Sequence, residues 1–379
     1  MEAASSFTRP QDAGLVLGYQ PALDGLRCAA IVPVITAHYY HHPSSGFLGV
    51  DLFFVLSGFL ITTLLVEEWI RRGTISLSRF YLRRALRLGP ALAVLLLTFT
   101  ALVVCRALFG YAAAPASAGE SLRAILFGAT YTTNFAVILT HTPLDLQPLW
   151  SLAVEEQYYI VWPLILLTVI AAGGLRWLIP GLMVAVLAVV VIRWQLAPAN
   201  PGVFDAAAVT RFDSILIGCL AALVRFRRIR VPSWSYPLAL VGLALIMLSN
   251  DSRIFYDGLS DLFCLLAAVI VLSVVENRSI LQRALSLAPL VFVGRISYAL
   301  YLWHFAILNW VERSGAFSST GHYTQITLAL IISFLVAVVS YRFVERPFLR
   351  IKWRISRVAS HDAPMAVALA RAHDEVVAS

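Results

Sequence analysis

One arginine–histidine relationship in this chain has the types and spacing for chemistry. Arg27 and His38 lie in the first apolar segment with ten residues between them. An offset of eleven at about 100° per residue closes nearly three turns, so both side chains share one helix face, with a rise of roughly 16 Å between them. Arginine carries a permanent charge and histidine exchanges a proton near neutral pH. Ionisable groups at membrane depth are costly to keep and are functional candidates by default. Farther along, His304 follows Tyr301 by one turn on a single face, and Arg84 and Arg87 stand just before the third apolar segment.

The elements that position these residues are helices in a bilayer. Hydrophobic residues make up 60% of the 379-residue chain and charged residues 13%, against about 25% charged in a soluble domain. Apolar stretches long enough to cross a bilayer recur throughout. The expected fold is all-α, a polytopic helical bundle with about ten spans: 24–40, 47–69, 90–109, 149–171, 176–195, 212–224, 235–250, 258–275, 290–311 and 323–344. Residues 121–139 are moderately apolar and suit an extra short or re-entrant helix. The first apolar stretch carries Arg27, Pro33 and His38, which a cleaved leader does not need, so it is expected to stay in the mature protein.

Arginine placement sets the orientation. Lys352 is the only lysine, so the net charge of +8 is almost wholly arginine. Arginines crowd segments 70–89, 225–230 and 346–357, whereas 41–46 has none and 312–322 has only Arg313. Positive-inside logic puts both termini in the cytoplasm and reads the charge as topology, not nucleic-acid binding. Arg27, Arg84 and Arg87 then fall toward the inner side, and His38, Asp51, Glu155 and Glu156 toward the outer side. The expected organisation is a cytoplasmic tail 1–20, a membrane domain 21–350 and a cytoplasmic tail 351–379. The four cysteines show no CxxC spacing, and no disulfide framework or metal site is expected.

Each polar residue also has a plainer reading. Arg84 and Arg87 suit cytoplasmic anchors, and His38 suits helix packing. Asp51 and Glu155 suit helix starts, with Ser151 as an N-cap. Ser57, Gly58 and Phe59 suit close helix packing. His41 and His42 read as exposed, Arg211 and Asp213 as a local charge pair, and Glu345 and Arg346 as the inner close of the last span.

Several stretches occur in a characteristic order: PALDGLRCAAIVPVITAHYY from 21, GFLGVDLFFVLSGFLIT from 46, SRFYLRRALRLGP from 78, PLWSLAVEEQYYIVWP at 148–163, TRFDSILIGCLAAL at 210–223, GRISYALYLWHF at 294–305 and ERPF at 345–348. Together they resemble the acyltransferase-3 family of integral membrane O-acyltransferases over about residues 20–350. The resemblance implies an Arg-x10-His signature on Arg27 and His38, and a cytoplasmic-loop Arg-x-x-Arg signature on Arg84 and Arg87. It implies acetyl-CoA or another short acyl-CoA as donor substrate, with no permanently bound cofactor. The implied acceptor is a hydroxyl of a carbohydrate, cell-envelope glycan or secondary metabolite such as a macrolide. Some family members carry a C-terminal SGNH-type hydrolase-like domain. Here the sequence ends soon after the tenth apolar segment, and a relay to such a domain is not expected.

Residue chemistry is compatible with that reading. Transfer from a thioester to a hydroxyl needs a base, for which His38 is the candidate, oriented by Asp51 or Glu155. The phosphates of an acyl-CoA call for arginine forks, which Arg27, Arg84 and Arg87 supply. Tyr301, His304 and Glu156 are candidates for the acceptor side. The expected location is the cell membrane, as a multi-pass protein. The rival reading is a secondary transporter of a polar metabolite, since intramembrane His, Arg and Glu also suit a substrate or proton path.

Overall fold

The computed structural model describes residues 16–109, 118–140, 146–196, 208–249, 258–314, 317 and 321–351. The tails expected at 1–20 and 351–379 lie almost wholly outside this set. Among the described residues every regular element is helical. The chain runs through α1 (Pro21–Tyr40), a short 3-10 turn (Ser44–Phe47), α2 (Leu48–Arg72), α3 (Leu77–Phe109), α4 (Ala118–Ala129) and α5 (Thr133–Thr140). It continues through α6 (Leu149–Ala171), α7 (Leu175–Leu196), α8 (Ala208–Phe226), α9 (Ser235–Leu248), α10 (Leu259–Glu276), α11 (Ile280–Leu285), α12 (Ala288–Ser314) and α13 (His322–Ser340). A π-helical turn, Tyr341–Glu345, prolongs α13.

Seven helices among the described residues are long and apolar enough to cross a membrane: Ser44–Arg72, Leu77–Cys105, Leu149–Ala171, Leu175–Gln195, Leu259–Glu276, Ala288–Ser314 and His322–Ile351. The chain is therefore a multi-pass membrane protein. Three further expected spans fall on α1 and α8, which carry charged residues, and on α9, which has 14 residues.

Helix α2 is the centre of the bundle: 78% of its apolar window is buried, against 17% for α7. Three apolar clusters surround it and α1. One joins α1 and α2 to α8, α9 and α10. The second packs α1 against α3, α6, α12 and α13. The third packs α2 against α6, α7 and α8. Bare backbone makes the tightest crossings possible. A Cβ on Gly58 would strike the Ile215 carbonyl, and one on Gly218 would strike the Val55 carbonyl, so α2 and α8 meet face to face there.

Two boundaries differ from the sequence expectation in ways that move the site. Helix α3 begins at Leu77, not near residue 90, because no breaker interrupts 77–88. Arg84 and Arg87 are thus helical, one turn apart, and lie about 10 and 15 Å along the helix instead of in a loop. Ser151 lies inside α6 and does not cap it; Pro148 holds the cap position.

Candidate functional site

Helix α1 carries the two ends of the site. Pro21 starts the helix, and His41, left-handed at φ 57°, ends it by donating its N–H to the Ala37 carbonyl. Arg27 lies near the first end, where its guanidinium donates to Asp24 at 2.7 Å. Asp24 also accepts from Tyr19 at 2.9 Å, and Tyr19 accepts from Arg295 at 2.6 Å. Arg27 is therefore oriented by an ordered acidic partner.

Arg84 and Arg87 reach the same region from α3. The Arg84 guanidinium sits over the Tyr159 ring, 4.1 Å from its centre, a cation–π contact. The Tyr159 hydroxyl donates to Ser57 at 3.1 Å, and Ser57 donates to Glu155 at 2.5 Å. Glu155 lies within electrostatic reach of Arg84, Arg87 and Arg27, and Arg87 within reach of Arg27 and Arg84. Neither Arg84 nor Arg87 donates a hydrogen bond to any described residue. Three guanidinium groups within electrostatic reach of one another, two of them without a hydrogen-bond partner among the described residues, are the kind of group that could hold a polyanion.

Two further carboxylates border this cluster. Glu156 reaches Arg84 and Arg87 electrostatically, and one of its oxygens is buried without a partner among the described residues. Glu345, 5% exposed on the π turn, faces Arg87 and likewise holds an unpartnered oxygen. Glu345 is the last residue of the π turn, a type of turn that recurs at functional positions.

His38 occupies the other end of α1. Its Nδ1 lies 2.9 Å from the Val34 carbonyl. A carbonyl only accepts, so Nδ1 carries the proton and Nε2 keeps its lone pair. The imidazole packs against Phe47 and His304, each with ring centres 5.0 Å away, and Phe305 at 5.6 Å. His304 repeats the arrangement: its Nδ1 lies 2.7 Å from the Tyr301 carbonyl, and its buried Nε2 has no partner among the described residues. The Tyr301 hydroxyl is engaged with Ser151 at 2.6 Å and the Pro148 carbonyl at 2.7 Å, clamping α12 to the start of α6.

The carboxylates expected to orient His38 are placed elsewhere. Asp51 is 1% exposed in the first turn of α2, where Arg211 donates to one oxygen at 2.5 Å and Ser214 to the other at 2.8 Å. Its acceptor directions face α8, so it ties two helices together. Glu155 belongs to the arginine cluster, because α3 is already helical where it meets the second turn of α6. Glu156 goes with it, away from the acceptor side assigned from sequence. A backbone carbonyl takes the orienting role at His38. The expected Arg211–Asp213 pair also gives way to bridges between helices: Arg193 donates to Asp213 at 2.7 Å and to Asp261 at 2.6 Å.

The family model described as an acyltransferase domain matches residues 20–342. The chain belongs to the acyltransferase-3 family. It is similar to a Staphylococcus aureus strain MRSA252 protein named as a candidate O-acetyltransferase, 30% identical over 377 residues, covering 90% of this chain and 60% of that protein. A protein of strain MSSA476, named in the same way, gives the same identity and coverage. The O-acetyltransferase OatA of strain NCTC 8325 / PS 47 is 29% identical over 355 residues, covering 87% of this chain and 57% of that protein. This acyltransferase-3 chain thus spans about three-fifths of the length of the curated relatives it matches. No solved structure is significantly similar to it.

Sequence reasoning overlooked Ser57 and Tyr159 as members of the site. Both lay inside the quoted motifs, and Ser57 interrupts an otherwise apolar run. That interruption was the available signal, since a hydroxyl deep in a span needs a partner.

Proposed function

We propose that this acyltransferase-3 chain is a membrane O-acyltransferase. It moves an acetyl or other short acyl group from acyl-CoA to a hydroxyl of a carbohydrate, cell-envelope glycan or secondary metabolite. The observation that carries the reading is that one helix joins a cluster of three arginines to a histidine whose Nδ1 is held by a backbone carbonyl. Arg27, Arg84 and Arg87 converge at one end of α1, and His38 presents a free Nε2 three turns away. The three guanidinium groups hold the donor's phosphates. The donor's arm runs along α1 over about 16 Å, bringing the thioester to His38.

At His38 the acceptor hydroxyl gives its proton to Nε2 as its oxygen attacks the thioester carbonyl. The tetrahedral intermediate expels the CoA thiolate, leaving an ester on the acceptor. The imidazolium returns its proton to the thiolate, and the base is regenerated. The Val34 carbonyl keeps Nδ1–H in place throughout, so the same tautomer is recovered after each turnover. In this scheme Glu155 is a positioning residue. Through Ser57 and Tyr159 it holds the platform on which Arg84 stacks. His304 and Tyr301 line the approach of the acceptor, and Glu156 borders the arginine cluster.

The same reading keeps ten spans with both termini in the cytoplasm, a membrane domain at 21–350 between two tails, and a location in the cell membrane. The names carried by the relatives favour an enzyme over a transporter. Membranes containing the full chain, given labelled acetyl-CoA and candidate acceptors, test this directly. Acceptor-dependent release of CoA thiol, with label recovered in an ester, is the expected result. Uptake of a metabolite with no thiol release would overturn it.

A further inference from the structure

A second site lies on the lipid-facing side of the bundle, away from the arginine cluster. Helices α6 and α7 diverge below their connecting turn and leave a groove of about 440 Å³, closed at its back by α8. That volume is within the range of ligand sites, about 300–1,000 Å³. Tyr158, Trp162, Ile165, Trp177, Gly181 and Phe212 line it. Ile165 and Trp177 are 44% and 63% exposed, so the groove opens outward. It is continuous with the exposed apolar face of α7, which carries Met183, Val184 and Leu187.

Two features select the occupant. The walls are apolar and belong to two membrane-spanning helices, so the medium at the groove mouth is hydrocarbon. Arg176 is exposed at the start of α7, beside the mouth, with its guanidinium carbon 5.5 Å from the Trp177 ring centre. A cation stacked on an aromatic ring at the end of a span sits at headgroup depth.

We propose that this groove seats one hydrocarbon chain of an anionic bilayer phospholipid. Its phosphate lies at Arg176 and its chain runs down the groove past Trp162. This is a lipid site separate from the acyl-transfer path. Tyr158 joins the two regions: its ring lines the groove, and its hydroxyl meets Cys219 at 3.2 Å inside the bundle.

Gly181 supplies the test. A Cβ built there meets nothing within 4 Å, so a larger side chain fills the groove without disturbing the helix. The full chain in nanodiscs is labelled with a phosphatidylglycerol bearing a photoreactive acyl chain, and adducts are mapped by peptide mass analysis. Adducts on α6 and α7 at these residues are expected, falling at least fivefold in Gly181→Phe and unchanged in Leu187→Phe, which lies outside the groove. Arg176→Ala is expected to lose the preference for phosphatidylglycerol over phosphatidylcholine while the chain still enters. Labelling spread evenly over exposed helices, or indifferent to Gly181→Phe, overturns the proposal. So does efficient disulfide formation between two copies carrying Val161→Cys, which would make a second copy the occupant. Because the readout is lipid labelling, the result is independent of whether the chain transfers acyl groups.

Discussion

The imidazoles of His38 and His304 lie 5.0 Å apart, centre to centre, and each has its Nδ1 tied to a carbonyl of its own helix. The pair comes from helices α1 and α12, 266 residues apart in sequence, yet both rings are prepared in the same way. Each leaves its Nε2 unprotonated, and neither uses a carboxylate to set its tautomer.

His38→Gln removes the base while preserving approximate size. Acceptor-dependent thiol release is expected to fall by roughly 10²–10⁴, the usual contribution of a positioned general base. Donor binding, measured separately by protection from thermal unfolding with CoA, is expected to persist. Full activity in this variant would remove His38 from the mechanism.

At the other end, Arg84 is held by a ring and not by a carboxylate. Arg84→Lys keeps the charge but loses the planar fork and much of the stack. Loss of one charged hydrogen bond, about 1.5–3 kcal/mol, corresponds to a rise in donor KM of about ten- to a hundredfold. The value of kcat is expected to change much less. Tyr159→Phe retains the stack and loses only the bond to Ser57, so its KM effect is expected to be smaller than that of Tyr159→Leu. Equal effects from the two would show that the stack is unimportant.

Asp51 and Arg211 make a different prediction. Removing one member of a buried ion pair costs about 3–5 kcal/mol because the other charge is stranded. Asp51→Asn and Arg211→Met are each expected to lower the thermal stability of the detergent-solubilised protein. The double variant is expected to recover a large part of that loss. The folded fraction of Asp51→Asn is expected to keep its activity, which separates a helix tie from a base-orienting carboxylate.

Gly58→Val places methyl groups where α2 meets the Ile215 carbonyl of α8. The backbones cannot separate without opening two apolar clusters. The yield of folded protein in membranes is expected to fall sharply, whereas Gly89→Ala, with nothing within 4 Å of its Cβ, is expected to be tolerated.

Much of the site was legible before any fold was known. Helical periodicity alone places Arg27 and His38 on one face at a set separation, and burial cost alone marks them as unusual. Composition alone requires a membrane bundle, and charge asymmetry alone proposes its orientation. These are properties of single segments, set by local geometry and by the solvent around them.

The pairing of charges was decided by tertiary structure. Asp51 goes to Arg211, 160 residues away, and Glu155 goes to the arginines of α3 through Ser57 of α2. Which helix faces which, and at what depth two side chains meet, depends on crossings such as the bare-backbone contact of Gly58 with Ile215. A helix's own sequence states which face is polar but not what lies opposite. For that reason the candidate histidine and arginines were readable from sequence, while the side chains packed against them emerged only when the helices were packed.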